Sequence, residues 1–209
     1  MSAVAARPLA PRDRALAALV VALALADEAR AKRALRAFRR ARGRRRAAEE
    51  AILMLVLYRG FPAALEGMRF LAREWPGRAN RSDRGTPGLW RRRGLALSRR
   101  VYGEVHPKLV ATVEGFHPDL ATWMIEHGYG RVLARAGLSA RTRELLTVAV
   151  LAATGWERQL VSHLHGARRV GAGERALAAA WKLGAGRAHP HEGHGVERAW
   201  RAFVAVNQV

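Results

Sequence analysis

The spacing of apolar residues along the chain predicts an all-α protein. Apolar positions recur with helical periodicity, Ala, Leu and Val dominate, and runs of β-branched residues are scarce. In the first half the pattern predicts helices over 13–41, over 47–58 with glutamates in the first turn, and from Pro62 to about Trp75. In the second half it predicts a loop over 184–195, an N-cap at Ser139, and helices over 95–103, 107–115, 118–128, 139–154, 156–170, 174–183 and 195–206.

Segments rich in proline and glycine divide the chain into parts. The stretch PGRANRSDRGTPG, residues 76–88, has no apolar period and is the best linker in the sequence. We therefore expect a flexible tail over 1–11, an N-terminal helical repeat over 12–75, a linker over 76–94 and a C-terminal domain over 95–209.

A weak internal repeat relates the two halves. Residues 14–43 lie over residues 143–171 with one residue of slack, and both segments run from Arg through an apolar stretch and a basic helix to Gly. The apolar run at 15–26 follows three arginines and has the outline of a secretory signal, but it is shorter than the roughly 20 residues that span a bilayer. Because the repeat matches this run to a core helix, we favour a mature buried helix over a signal peptide.

The charge of the chain raises the question of an anionic partner. The formal net charge is +20, and arginine supplies nearly all of it, since the lysines are Lys32, Lys108 and Lys182. Nucleic acid, an acidic membrane or an acidic metabolite would each fit this charge. The alternative, which we favour, is an arginine-biased composition spread over solvated helix faces, because the charge is not confined to one segment.

The absence of cysteine limits the chemistry. A chain with no cysteine has no disulfide, no thiolate nucleophile, no zinc–thiolate site and no thiol redox sensor. A cytoplasmic location fits this composition. The run HPHEGH at 189–194 holds three histidines, but its loop context is weak support for a metal site, and we expect none.

The best candidate for acid–base chemistry is the stretch TGWERQLVSHLHGARRVG, residues 154–171. On a helix Gln159 and His163 share a face with Trp156, whereas His163 and His165 are about 200° apart and cannot both enter one pocket. We expect His163 to face inward, with Glu144 on the neighbouring helix fixing its tautomer. A core histidine with no catalytic role remains the alternative.

Several blocks of the second half resemble a known family. VYGEVHPKL (101–109), EGFHPDL (114–120) and HGYGRVLARAGLSARTRELLTVAVLAATGWERQLVSHLHGARRVG (127–171) are similar, in order and spacing, to the carboxymuconolactone decarboxylase family, which includes the AhpD-like proteins. The resemblance covers about 95–183, and the first half resembles a degenerate copy that has lost its polar site residues. It implies an all-α, AhpD-like helical bundle of two pseudo-repeats that forms a homo-oligomer, with a trimer favoured, and that needs no cofactor.

The resemblance also implies a type of reaction. The redox branch of the family uses a Glu, a C-x-x-C pair and a His at positions that fall on Glu144, Trp156, Gln159 and His163, so thiol peroxidase chemistry is excluded here. The lactone decarboxylase branch needs no cysteine, and the blocks around His106, His127 and His163 resemble that branch more closely. Its reaction removes carbon dioxide from a carboxylated muconolactone, which requires a cation for the carboxylates, a proton donor and a dry pocket.

This resemblance assigns roles to individual residues. The catalytic candidates are His163, Glu144 and His127, and the substrate-binding candidates are His106, Arg131, Arg135, Trp123, Trp156 and Gln159. We expect a small carboxylated metabolite as the partner, with neither a membrane nor nucleic acid. Two alternatives stay open: a non-enzymatic member that binds a small acid or only assembles, and a nucleic-acid binder that uses the arginine surface but lacks a reading motif.

Overall fold

The apolar periodicity is realised as helices in the part of the chain that the computed structural model describes, residues 8–79, 83–188 and 190–207. These residues form α-helices joined by short turns, with one 3-10 turn and one π-helical segment, and no strand occurs among them. The prediction of an all-α bundle with two pseudo-repeats is therefore confirmed.

The first repeat begins with a helical hairpin, α1 (Pro11–Ala24) and α2 (Glu28–Arg40). The prediction of one helix over 13–41 is wrong, because the chain turns at Ala26, which has a left-handed φ of 56°. Asp27 then caps α2, and its carboxylate accepts a hydrogen bond from the backbone N–H of Arg30 at 3.0 Å.

The next two helices are α3 (Arg45–Leu53) and α4 (Leu55–Glu74), which meet at an angle of 107°. Gly60, with φ of 76°, breaks α4 ahead of Pro62, at the boundary expected between residue 58 and Pro62, whereas the helix expected over 47–58 is interrupted at Met54. Because α3 begins at Arg45, its glutamates lie beyond the first turn. These glutamates do not stabilise the N-terminal end of α3. They form ion pairs with arginines instead, as Glu49 does with Arg45.

No single helix of the described residues is long and apolar enough to span a membrane. The bent pair α3–α4 meets the length and composition criteria when taken together. The side chains at its bend, Ile52, Met54 and Leu55, are buried in the protein core.

The middle of the chain packs α5 (Pro87–Tyr102) against a π-helical segment (Met124–Leu133). Between them lie a 3-10 turn (Gly103–Val105), α6 (His106–Phe116) and α7 (Pro118–Trp123). Helix α5 starts inside the linker predicted over 76–94, because Thr86 caps it by accepting a hydrogen bond from the backbone N–H of Leu89 at 3.3 Å. The helix predicted over 118–128 continues as the π-helical segment, which sequence periodicity did not indicate.

The second repeat contains α8 (Ala140–Ala153), α9 (Glu157–Arg169), α10 (Glu174–Ala185) and α11 (Pro190–Asn207). The predicted N-cap is confirmed, since Ser139 Oγ accepts a hydrogen bond from the backbone N–H of Thr142 at 3.1 Å. The loop expected over 184–195 is shorter than predicted, because Pro190 begins α11 and proline suits the first position of a helix.

The two hairpins have the same dimensions. Helices α1 and α8 have 14 residues each, and α2 and α9 have 13 each. Left-handed residues also correspond: Ala26 matches Gly155, and Arg42 matches Gly171. The two hairpins therefore align without an inserted residue. This corrects the alignment of the two sequences at one position, because Gly171 corresponds to Arg42 and not to Gly43. The apolar run at 15–26 supplies most of α1, and most of its residues are buried.

Helix α8 lies at the centre of the bundle, with every residue from Arg143 to Ala153 buried. One side of it, including Leu146 and Val150, packs in a cluster with α1 to α4. The other side, including Leu145, packs with α9, α10 and α11, and Leu9 from the predicted tail joins this second cluster. A helix that is apolar on all sides is expected to be central in this way.

A buried ion network ties α3 to α8. Glu50 accepts hydrogen bonds from Arg135 at 2.9 and 3.0 Å and from Arg143 at 3.0 Å. Burial lowers the pKa of Arg143, with Glu50 acting against this, whereas the hydrogen bonds to Glu50 raise the pKa of Arg135. Since only 1% of Arg143 is exposed, its charge depends on the Glu50 carboxylate for compensation.

We predict that Glu50→Ala lowers the free energy of unfolding by about 3–5 kcal/mol, because it leaves the Arg143 guanidinium buried without its counter-charge. Urea denaturation measures this change. The control is Glu66→Ala, which removes an exposed pair with Arg69 and should leave the midpoint unchanged. Equal midpoints for the two variants would contradict the structural importance of the network.

Candidate active site

A cavity of about 630 Å³ lies where α8 and α9 face α4, α5 and the π-helical segment. Its lining is mostly apolar and aromatic. The lining residues are Val56, Leu57, Tyr58, Phe61, Tyr102, Leu120, Trp123, Met124, His127, Gly128, Tyr129, Leu133, Leu151, Trp156, Gln159 and His163. No arginine or lysine from the described part of the chain is among them, so the cavity offers hydrogen bonds but no permanent positive charge.

A buried glutamate–histidine pair forms one wall of this cavity. His163 Nδ1 on α9 lies 2.8 Å from Glu144 Oε2 on α8, and the two residues are 9% and 2% exposed. The ring N–H at Nδ1 donates to the carboxylate, which leaves Nε2 as the nitrogen for a ligand. Gly166 makes room for this pair, since a Cβ there would lie 3.0 Å from Glu144 Oε2 and 2.5 Å from Val101 Cγ1.

All three tyrosines of the chain line the cavity. Tyr129 donates its hydroxyl proton to the Tyr102 oxygen at 2.8 Å. Tyr58 donates to Thr147 Oγ1 at 2.6 Å, because the Thr147 hydroxyl itself donates to a backbone carbonyl of α8. Burial raises the pKa of Tyr102 to about 12 and also raises the pKa values of Tyr58 and Tyr129. The three phenols therefore stay neutral at ordinary pH.

The π-helical segment brings His127 and Tyr129 to the cavity. It packs closely on α5 through two glycines: a Cβ at Gly130 would lie 2.0 Å from the Trp90 carbonyl oxygen, and one at Gly94 would lie 2.0 Å from that of Ile125. Segments of π-helix are rare and occur frequently at functional sites. Burial, and to a lesser degree the guanidinium of Arg131, lowers the pKa of the His127 imidazole, which favours its neutral form.

The structure brings six of the nine candidate residues together. His163, His127, Trp123, Trp156 and Gln159 line the cavity, and Glu144 stands behind His163. The two tryptophans lie at the mouth and are 63% and 55% exposed. On the same helix as His163, the ring of His165 packs against Phe203 instead, at 5.0 Å between centroids.

The other three candidates lie outside the cavity. His106 is buried, and its Nε2 forms a hydrogen bond of 2.9 Å with Ser98 Oγ. Arg131 stacks over the Trp90 ring at 4.6 Å, and Arg135 is held by Glu50. Each side chain is directed elsewhere by a specific partner.

Sequence reasoning missed the tyrosines of the first half and of α5. Tyr58 comes from the half that resembled a copy without polar site residues, yet it lines the cavity. The sequence offers one signal in retrospect. Tyrosine is rare in this chain, with three residues, and all three line the cavity.

The HPHEGH run lies largely outside the described residues, since His189 and the side chains of His191 and Glu192 are not described. In the remaining described chain no group of three His, Cys, Asp or Glu residues is placed to hold a metal ion.

The fold and the site define an all-α protein in which two helical repeats enclose a cavity containing a buried glutamate–histidine pair. Residues 118–207 match the model of the carboxymuconolactone decarboxylase family. Over 74 residues the sequence is 35% identical to the 4-carboxymuconolactone decarboxylase of Acinetobacter baylyi (strain ATCC 33305 / BD413 / ADP1), and the match covers 35% of this chain and 55% of that protein. The second part of this cysteine-free chain is thus similar to the carboxymuconolactone decarboxylase family, and the match spans about half the length of the curated relative.

We predict that the tyrosines do not ionise in the folded protein until about pH 12, whereas in guanidinium they titrate near pH 10. Absorbance of tyrosinate measures this. Because the folded pKa is raised, the unfolded chain loses its phenol protons first, so the free energy of unfolding should fall as pH rises from about 10 to 12. A folded-state titration near pH 10 would contradict the burial of these hydroxyls.

Proposed function

We propose that this protein removes carbon dioxide from a small carboxylated lactone, or carries out closely related acid–base processing of such a molecule, in the cavity beside His163. The observation that carries the proposal is the buried Glu144–His163 pair at the wall of a mostly apolar cavity. The match of residues 118–207 to the family model and the name of the Acinetobacter relative support this class of reaction.

Substrate binding relies on neutral hydrogen-bond donors. Because Tyr129 donates to Tyr102, the Tyr102 hydroxyl keeps its own proton for a ligand oxygen. Gln159 supplies a side-chain amide, and neutral His127 supplies a ring N–H. These groups orient the carboxylate and the lactone carbonyl, and they replace the arginine that the sequence suggested.

The absence of a cation from the described lining favours loss of carbon dioxide. A carboxylate in a mostly apolar cavity gives up hydration that no arginine or lysine of the described lining replaces, and the Glu144 carboxylate compensates the charge of protonated His163, so the charged ground state is poorly stabilised. Breaking the bond to the carboxylate spreads that charge over the lactone ring, which needs less solvation. Desolvation thereby contributes to lowering the barrier.

The proton transfer is assigned to His163. As the bond between the ring carbon and the carboxylate breaks, carbon dioxide leaves and the electron pair is delocalised into the lactone carbonyl. Doubly protonated His163 then gives the Nε2 proton to the ring carbon, and the ring stays hydrogen-bonded to Glu144 through Nδ1–H. Uptake of one proton from water restores the starting state.

Assembly is the second part of the proposal. Four large apolar side chains around the mouth are exposed: Phe61 (64%), Trp123 (63%), Trp156 (55%) and Leu120 (47%). Grouped exposed apolar residues of this kind mark interaction surfaces. We infer that a second copy of the chain covers them in a homo-oligomer, with a trimer favoured, and thereby excludes water from the cavity.

We predict that His163→Ala lowers turnover of a panel of carboxylated lactones about 10²–10⁴-fold, since general acids contribute on that scale. Glu144→Gln should lower turnover about 10–100-fold, because it only orients the histidine. Carbon dioxide release measures both, and His165→Ala on the same helix is the matched control with full activity. His127→Ala should mainly raise KM.

Unchanged turnover in both His163→Ala and His127→Ala would show that the catalytic assignment is wrong. If the wild-type protein turns over no compound in the panel but binds one of them in this cavity, the chain is a small-acid-binding member of the family and not an enzyme.

For the assembly we predict a multiple of the protomer mass in light scattering at micromolar concentration, with the double variant Phe61→Ser/Trp123→Ser shifted towards the single protomer. Val206→Ser changes another exposed apolar residue, away from the mouth, and should leave the mass unchanged. A single-protomer mass for the wild type would rule the assembly out.

A further inference from the structure

A second cavity, of about 440 Å³, lies in the first repeat at the position that corresponds to the candidate active site. Because the two hairpins have equal helix lengths, every residue of α1–α2 has a counterpart in α8–α9. The second cavity is lined by Ala22, Asp27, Arg30 and Ala34. Their counterparts, in the same order, are Leu151, Trp156, Gln159 and His163, which all line the active-site cavity.

The third wall of each cavity comes from the opposite repeat. Helices α3 and α10 begin at corresponding positions, Arg45 and Glu174. Helix α4, which follows α3, brings Leu57 and Tyr58 to the active-site cavity, and the residues at the corresponding positions directly after α10, Gly186 and Arg187, line the second cavity. The two cavities are therefore equivalent products of one duplicated architecture.

The second cavity has lost the acid–base pair. Ala15 and Ala34 stand where Glu144 and His163 stand in the second repeat, so no residue there can move a proton in the same way. Smaller side chains at Ala22 and Ala34 also keep the space open.

The second cavity has gained positive charge. Arg30, Arg33, Lys182 and Arg187 line it, together with the single acid Asp27. Arg30 is paired with Asp27 at 2.7 Å. Arg33 lies near enough to Asp27 to help lower the pKa of its carboxylate, whereas Lys182 and Arg187 form no ion pair within the part of the chain that the structure describes. Their mutual repulsion around one opening favours the binding of an anion.

We propose that this cavity is a non-catalytic binding site for a small organic acid that has an apolar body and a carboxylate. The carboxylate contacts Arg33, Lys182 and Arg187, whose guanidinium and ammonium groups donate charge-assisted hydrogen bonds. The apolar body lies against Val21 and Leu183. An apolar wall beside the cations distinguishes this ligand class from inorganic phosphate.

The test is a titration of the full-length, ¹⁵N-labelled protein with benzoate, followed through backbone amide shifts at constant ionic strength. We expect saturable shifts at Gly186 and Ala34 that inorganic phosphate does not reproduce. Shifts confined to Gly128 and Gln159, in the active-site cavity, or no saturation at Gly186, would overturn the proposal. Equal binding of phosphate would overturn the requirement for an apolar body.

Paired variants separate this site from general charge effects. Arg33→Ala/Arg187→Ala should weaken benzoate binding at Gly186 about tenfold or more, because hydrogen bonds to charged groups are removed. The matched control, Arg36→Ala/Arg175→Ala, removes the same charge from exposed positions outside the cavity and should bind as the wild type does. Equal weakening in both double variants would show that only net charge matters.

The binding site does not depend on the proposed reaction. His163→Ala should leave the benzoate shifts at Gly186 unchanged, so a failed activity assay and a failed titration are distinguishable. The exposed positions of Arg33 and Arg187 keep the fold intact, and a thermal melt of each variant checks this.

Discussion

The burial of three polar side chains on α8 is the constraint on which the rest of the molecule depends. Helix α8 is enclosed on all sides, yet it carries Arg143, Glu144 and Thr147 in its first turns. Each needs a partner inside the protein, and each partner comes from a different helix: a glutamate on α3, a histidine on α9 and a tyrosine on α4. An unpaired buried charge costs several kcal/mol, on the order of 3–5. The same three contacts therefore orient the helices around α8 and place a wall of the cavity.

Duplication has produced two cavities of one design with opposite chemistry. The cavity of the second repeat holds the Glu144–His163 pair, and no cation of the described chain lines it. Its counterpart in the first repeat has alanines in place of that pair and is lined by four cations. Acid–base chemistry benefits from a site where charge is poorly solvated, whereas charge-assisted hydrogen bonds from cations strengthen the binding of an anion that does not react. One backbone arrangement thus supports both environments through substitutions at a few lining positions.

The helical spacing of the second repeat was sufficient to predict that Glu144 and His163 lie in contact. Glu144 and His163 lie on consecutive amphipathic helices of a hairpin, so their separation depends on local geometry that periodicity reveals. The two arginines that were expected to bind the substrate lie outside the cavity. Arg135 is held by Glu50, 85 positions away in the chain, and Arg131 stacks over Trp90. Contacts over such distances depend on how helices pack, and no local pattern indicates them.

The amino-acid sequence by itself determined the all-α class, the duplicated hairpins, the exclusion of thiol chemistry and the inward histidine, because each follows from composition or from the helical period. The tertiary structure decided that all three tyrosines line the cavity and that Arg131 and Arg135 lie outside it. It also decided that a π-helical segment brings His127 to the cavity. It also decided that each cavity takes its third wall from the other repeat. The physical reason is that hydrogen bonds and side-chain packing between distant segments outweigh local preference wherever a polar or bulky group must be buried.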